Sequence, residues 1–241
     1  MLPRWNPVLT GGSLLLGASL LAGCGVGAPW PSTGPNPGAP SASGYQPREF
    51  FFPPSATAKA AYRTTTSIDN PANLPDTLAT SSSTVEVTSY TPTAAVLRTT
   101  DVTSNPNTGA VLTEVSTTSY RVDSDGAVVI DMGGVKERYG TGVFTATGAE
   151  VATISPDLPA FRLSLVGLET VTVPAGPFET LKFKSEGGGF EAPVYAWYTR
   201  QKGLVRLYYV ATQSVEVGSG NATASAVATA SIERVLVRFT P

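Results

Sequence analysis

Chemistry near neutral pH usually leans on histidine, and this sequence has none. Without an imidazole there is no Ser-His-Asp triad, no ordinary general base near pH 7 and none of the commonest metal ligand. The residues left for chemistry are carboxylates, Lys, Ser/Thr, Tyr and one cysteine, Cys24. Asp123, Asp125 and Asp131 fall close together, and calcium prefers such oxygen ligands. Their spacing departs from an EF-hand loop and Gly126 stands where a hairpin wants it, so a plain turn is the better reading and no metal is expected. Paired carboxylates could cleave a glycosidic bond, but no pair here is marked by an aromatic, sugar-binding context. Lys182 and Lys184 alternate with Leu181 and Phe183 and read as the solvated face of a strand. The most aromatic stretch holds Tyr195, Trp197, Tyr198, Tyr208 and Tyr209. Among these, Tyr195, Trp197 and Tyr208 are the candidate ligand-binding residues, able to line a groove for an acyl chain, peptide or glycan. The plainer account places these rings in a hydrophobic core. No phosphate-cradling glycine loop or dinucleotide fingerprint is present, so neither a cofactor nor a catalytic residue is assigned.

The N-terminus positions Cys24. Arg4 precedes an apolar run from Val8 to Ala22, rich in Leu and interrupted by Gly11, Gly12 and Gly17. The run is about 15 residues, short of the roughly 20 that span a bilayer. A basic flank, a short apolar stretch and small residues at its end predict a signal peptide over residues 1–23. The stretch ends in Leu21-Ala22-Gly23-Cys24, which resembles the lipobox of bacterial lipoproteins. That resemblance implies a thiol that accepts a diacylglycerol and small side chains that fit the peptidase beside the cleaved bond. It makes Cys24 the lipidation site, with palmitate among the acyl chains. Several acyl chains on one cysteine hold a protein stably at a membrane where a single chain does not. Gly25 follows, not the Asp that tends to retain lipoproteins at the inner membrane, so the periplasmic face of an outer membrane is the expected location. With Cys24 acylated, cysteine nucleophiles and thiolate metal sites are also removed.

Composition narrows the partners. The chain carries 16 Lys and Arg against 18 Asp and Glu, with no basic patch, which disfavours nucleic acid. No second apolar run is long enough for a membrane helix. Residues 24–49 are rich in Gly, Pro, Ala and Ser and predict an extended tether. Residues 50–241 predict a single β domain, opening at Phe50-Phe51-Phe52. Charged residues are only 14% of the chain, while Thr and Val, which suit a pleated surface, are abundant.

Short strands separated by turn residues fill that domain. Strands are predicted over residues 57–67, 82–90 (Val85 and Val87 inward), 95–103, 111–122 and 127–132, with a turn at 123–126 and a break at Gly133-Gly134. Two short strands at best fall between 135 and 159. Further strands follow over 162–173, interrupted by Gly167, and over 178–186, 194–199, 204–212 and 222–239. In the last, Val235, Val237 and Phe239 are expected on one face and Arg234 and Arg238 on the other. The fold class is all-β: a large, curved antiparallel sheet, as a meander or a partly open barrel or sandwich.

Two segments resemble a loose group of uncharacterised β-rich bacterial envelope proteins and lipoproteins. Val171-Thr-Val-Pro-Ala-Gly-Pro-Phe-Glu-Thr-Leu-Lys-Phe is similar to "TVPAGTFKTLKV", and Ala196-Trp-Tyr-Thr-Arg-Gln-Lys-Gly-Leu-Val-Arg-Leu to "YWYAPGVGLVK". Phe50-Phe-Phe-Pro resembles the "YFPL" opening of the same group. Pro177 and Thr199-Arg-Gln-Lys depart from the pattern, and the group implies no reaction. The residues also have structural uses: Pro174 and Gly176 make a turn, Trp197 fills a core, and Gly203 allows a backbone conformation other residues resist. The leading expectation is a membrane-anchored, non-enzymatic envelope lipoprotein whose domain binds a ligand or an envelope protein. The alternatives are a carrier of a lipid or other hydrophobic ligand in a β cavity, and a carboxylate-dependent hydrolase of cell-wall glycans.

Overall fold

The structure is a computed structural model that describes residues 44–69, 77–104, 108–151, 159–219 and 222–241. The expected signal peptide, Cys24 and most of the expected tether lie outside the described residues. Among the described residues, twelve strands form one antiparallel sheet: β1 (Lys59–Asp69), β2 (Thr77–Tyr90), β3 (Ala94–Ser104), β4 (Val111–Val122), β5 (Val128–Asp131), β6 (Lys136–Tyr139), β7 (Ala149–Val151), β8 (Phe161–Val173), β9 (Gly176–Gly187), β10 (Val194–Thr199), β11 (Gly203–Ser219) and β12 (Ala222–Thr240). Their order is β6-β5-β4-β3-β2-β1-β12-β11-β10-β9-β8-β7. Two six-strand meanders are thus joined by pairing the first strand with the last. The edge strands β6 and β7 come against each other, and the sheet curls into a nearly closed barrel. The protein is all-β, as its composition and turn spacing predict.

Period-two alternation sets the inner face. Val128 and Ile130 of β5 are fully buried, and Glu137 and Tyr139 of β6 face inward while Lys136 and Arg138 face solvent. Leu181 and Phe183 do the same on β9. The short strands expected between 135 and 159 are β6 and β7, separated by a 3-10 turn at Thr141–Phe144 that delivers Val143 and Phe144 to the core.

The domain begins earlier than the sequence suggests. Residues 44–49 belong to it, because Pro47–Phe51 form one helical turn, α1, with Pro47 and Phe50 buried. Pro at the first helical position and a Glu49 carboxylate that accepts from Gln46 N (3.3 Å) suit a helix start. A Pro-rich composition hides this single turn. Its purpose is to aim three phenylalanines into the barrel. Phe51 stacks on Tyr139 of β6 at 4.8 Å between ring centroids and meets Tyr198 of β10 edge-on at 4.9 Å. Phe50 packs on Phe144, and Phe52 on Tyr90 and Tyr120. This aromatic plug draws both meanders together. Its backbone is tied down where Gln201 N donates to Glu49 O (2.7 Å).

Two further features depart from a plain barrel. An extra residue, Val166, bends β8, and the β8–β9 hairpin folds so that Ala175 N donates to Leu236 O of β12 (3.2 Å). Val171 and Val173 thereby form a second core with Trp197, Val205 and Val235. At the end away from the plug the long strands outrun their neighbours. β5 pairs with β4 only over Ser119–Val122, and β10 with β11 only up to Tyr208. The residues of β4 from Val111 to Thr117 are exposed, as are Leu78 and Val227.

Candidate ligand-binding site

Tyr195, Trp197 and Tyr208 do come together, on the outward face of β10 and β11. Tyr195 pairs across the strands with Tyr208, their rings 6.4 Å apart at 25°, and Tyr195 lies 6.4 Å from Trp197. Ala196 and Leu207 point the opposite way, into the main core. Trp197 is buried under the bent β8–β9 hairpin, where its Nε1 donates to the Glu169 carboxylate. Lys182 Nζ and Arg206 Cζ each lie 4.9 Å from the indole centroid. Trp197 is thus a core residue, as the plainer reading held, and half-buried Tyr195 and Tyr208 form a ledge beside it. Lys182 differs from a merely solvated lysine because its ammonium covers two rings, Trp197 and Tyr195 (5.4 Å). Lys184 pairs with Glu186 at 2.6 Å.

The aspartates resolve into ion pairs. Asp123 and Asp125 close the β4–β5 turn, where both meet Arg138. Asp131 accepts from Gly133 N and pairs with Lys136 at 3.2 Å. No group of three or more potential metal ligands is found among the described residues.

The concave site lies at the plug end. A pocket of about 100 Å³ is lined by the plug, by Ala60, Val85, Leu97, Leu204 and Phe239, and by three phenols, Tyr62, Tyr120 and Tyr198. The space is enough for several water-sized groups. Its lining includes Lys59, Lys202 and Arg234 but no carboxylate. Burial pushes the Tyr120 and Tyr198 phenols up, well above the usual tyrosine value, so both stay protonated at neutral pH. The Tyr62 hydroxyl donates to Leu204 O at 3.1 Å.

Arg234 is the residue that sequence alternation misplaces. Expected on the solvent face opposite Val235 and Val237, it is only 4% exposed. The cause is a bulge. Ala61 pairs with Arg238 but Tyr62 pairs with Leu236, so Val237 is an extra residue and the alternation of β12 inverts there. Arg234 and Phe239 therefore both line the pocket, while Val237 and Arg238 are exposed. No local sequence signal marks the bulge.

No protein-family model matches the chain, and no curated protein matches it in sequence. Two solved structures resemble it distantly. A candidate lipoprotein from Parabacteroides distasonis aligns with a TM-score of 0.41 at 15% identity, over 80% of this chain and 99% of that one. An exported-protein candidate with a YmcC-like fold from Bacteroides fragilis aligns with a TM-score of 0.42 at 16% identity, over 80% of this chain and 100% of that one. Both likenesses are too remote to transfer a role.

Proposed function

We propose that this chain is a lipid-anchored cell-envelope protein whose β barrel is a non-enzymatic binding module. Leu21-Ala22-Gly23-Cys24 supplies the anchor, acylated on Cys24, and the Gly- and Pro-rich stretch after it the tether. Gly25 after the cysteine favours the periplasmic face of an outer membrane. The observation that carries the binding reading is the pocket beside α1, apolar over most of its lining and equipped with a few convergent polar groups, the usual composition of a small-ligand site. The hydrolase alternative draws little support from the interior. Glu137 is the buried carboxylate among the described residues, and it faces the Tyr139 hydroxyl, not a second carboxylate.

Metabolic labelling with radioactive palmitate tests the anchor. Label is expected on the protein and is lost on Cys24→Ser, with the protein released from the membrane fraction. A membrane-bound Cys24→Ser protein, or an unlabelled parent, sinks the assignment.

A further inference from the structure

We propose that the plug-end pocket binds a single-chain carboxylate amphiphile, whose acid group pairs with Arg234 and whose apolar chain lies along Phe239, Leu97 and Val85. This deepens the binding-module reading and rests on it. The first support is an unmet cation. Arg234 is almost fully buried, its Nε has no hydrogen-bond partner, and it forms no ion pair among the described residues. Its compensation is the Tyr62 ring, with the guanidinium carbon 4.5 Å from the centroid, and the more distant charge of Asp101, neither of which satisfies the Nε donor. A guanidinium keeps its charge in proteins and presents donors in a planar fork that matches a carboxylate. A buried charge without a hydrogen-bonded partner is costly, and an acid supplied from outside removes that cost.

The charge balance of the lining is the second support. The protein as a whole is slightly acidic, yet this lining holds three cations and no acid. Lys59 is committed to Glu86 at 2.9 Å, which leaves Arg234 inside and Lys202, exposed over the Phe178 ring, at the turn that follows β10. Tyr120 and Tyr198 add neutral phenols to the same wall. Size is the third support. About 100 Å³ is room for a head group and the first few carbons of one slender chain, and it excludes the glycerol and paired chains of a phospholipid.

Isothermal titration of the full chain carrying Cys24→Ser, which needs no detergent to compete for the pocket, tests the proposal with three probes of equal length: octanoate, octanol and octylamine. Octanoate is expected to bind roughly 10- to 100-fold more tightly than octanol, the range of one charge-assisted hydrogen-bonded contact, and octylamine more weakly still. Arg234→Met is expected to erase the preference for octanoate while octanol binding persists; Arg234→Lys retains part of it. If Arg234→Met fails to fold, Leu97→Trp, which fills the pocket from β3, serves instead and is expected to abolish octanoate binding. Equal binding of octanoate and octanol overturns the acid-recognition proposal and leaves the binding module standing. Binding of none of the three overturns both.

Discussion

Arg234 of β12 lies with its guanidinium 4.5 Å from the ring centroid of Tyr62 on β1, inside the barrel and across the junction of the first and last strands. A cation in that position is held against a desolvation cost that lowers its pKa and that nearby Tyr62 and Asp101 offset only in part. Replacement of buried charge by apolar bulk is often stabilising. Arg234→Met is therefore expected to raise unfolding stability by about 1 kcal/mol or more, read from the urea midpoint in the absence of ligand. A lower midpoint would mean that the Tyr62 ring more than repays the burial.

Phe51 touches Tyr139, Phe144, Phe183 and Tyr198, on elements from both meanders. Phe51→Ala is expected to cost about 3–5 kcal/mol, as for other large core truncations. The same measurement on Tyr45→Ala, at the margin of the plug, is expected to show a smaller loss. Near-equal midpoints for Phe51→Ala and the parent would show that the plug is dispensable to the barrel.

Glu137 gives the protein an unusual pH dependence. Burial raises its pKa above the ordinary 4.5, with the Tyr139 hydrogen bond acting in the opposite direction. A raised carboxyl pKa means that the folded state holds its proton more tightly than the unfolded state. Its contribution is favourable on the acid side and is lost as pH rises from about 4.5 to the raised folded value, after which it is flat. Glu86 acts in the opposite sense, its carboxyl held low by Lys59 and Arg98. Comparison of Glu137→Gln with the parent isolates the buried group. The variant is expected to gain relative stability with rising pH over that interval and to be the more stable at pH 7. A pH-independent difference between the two would sink this account.

Trp197 ties the bent β8–β9 hairpin to the barrel through Glu169. Glu169→Ala removes the indole's acceptor and one of the charges near Lys182, which lies 3.7 Å from that carboxylate. The hairpin is expected to loosen, exposing Trp197, with a red shift of its fluorescence in the difference between parent and Trp197→Phe spectra. An unchanged emission maximum would assign the docking to Val171 and Val173 alone.

Much of this architecture is readable from residue order. The alternation of Leu181 and Phe183, the aspartate turn at 123–126 and the glycine break at 133–134 each correspond to a strand or a turn where they are expected. The aromatic ledge of Tyr195 and Tyr208 follows from ordinary cross-strand pairing. Two features were illegible for physical reasons. The helical turn at Pro47–Phe51 is too short for any periodicity to reveal. The bulge at Val237 exchanges the inner and outer faces of β12 by adding one residue, and only the partner strand records it. The pocket depends on both, since α1 forms one wall and the bulge turns Arg234 and Phe239 inward.

The union of β1 with β12 has a kinetic consequence. The first and last strands of the sheet must meet before the barrel can shut, and loop-closure entropy opposes that step until the last strand is available. The aromatic plug, encoded at the start of the domain, likewise cannot finish packing until β9 and β10 exist to receive it. A chain delivered amino end first, through a ribosomal tunnel or a translocation channel, thus remains open until β12 emerges, a delay that keeps it threadable.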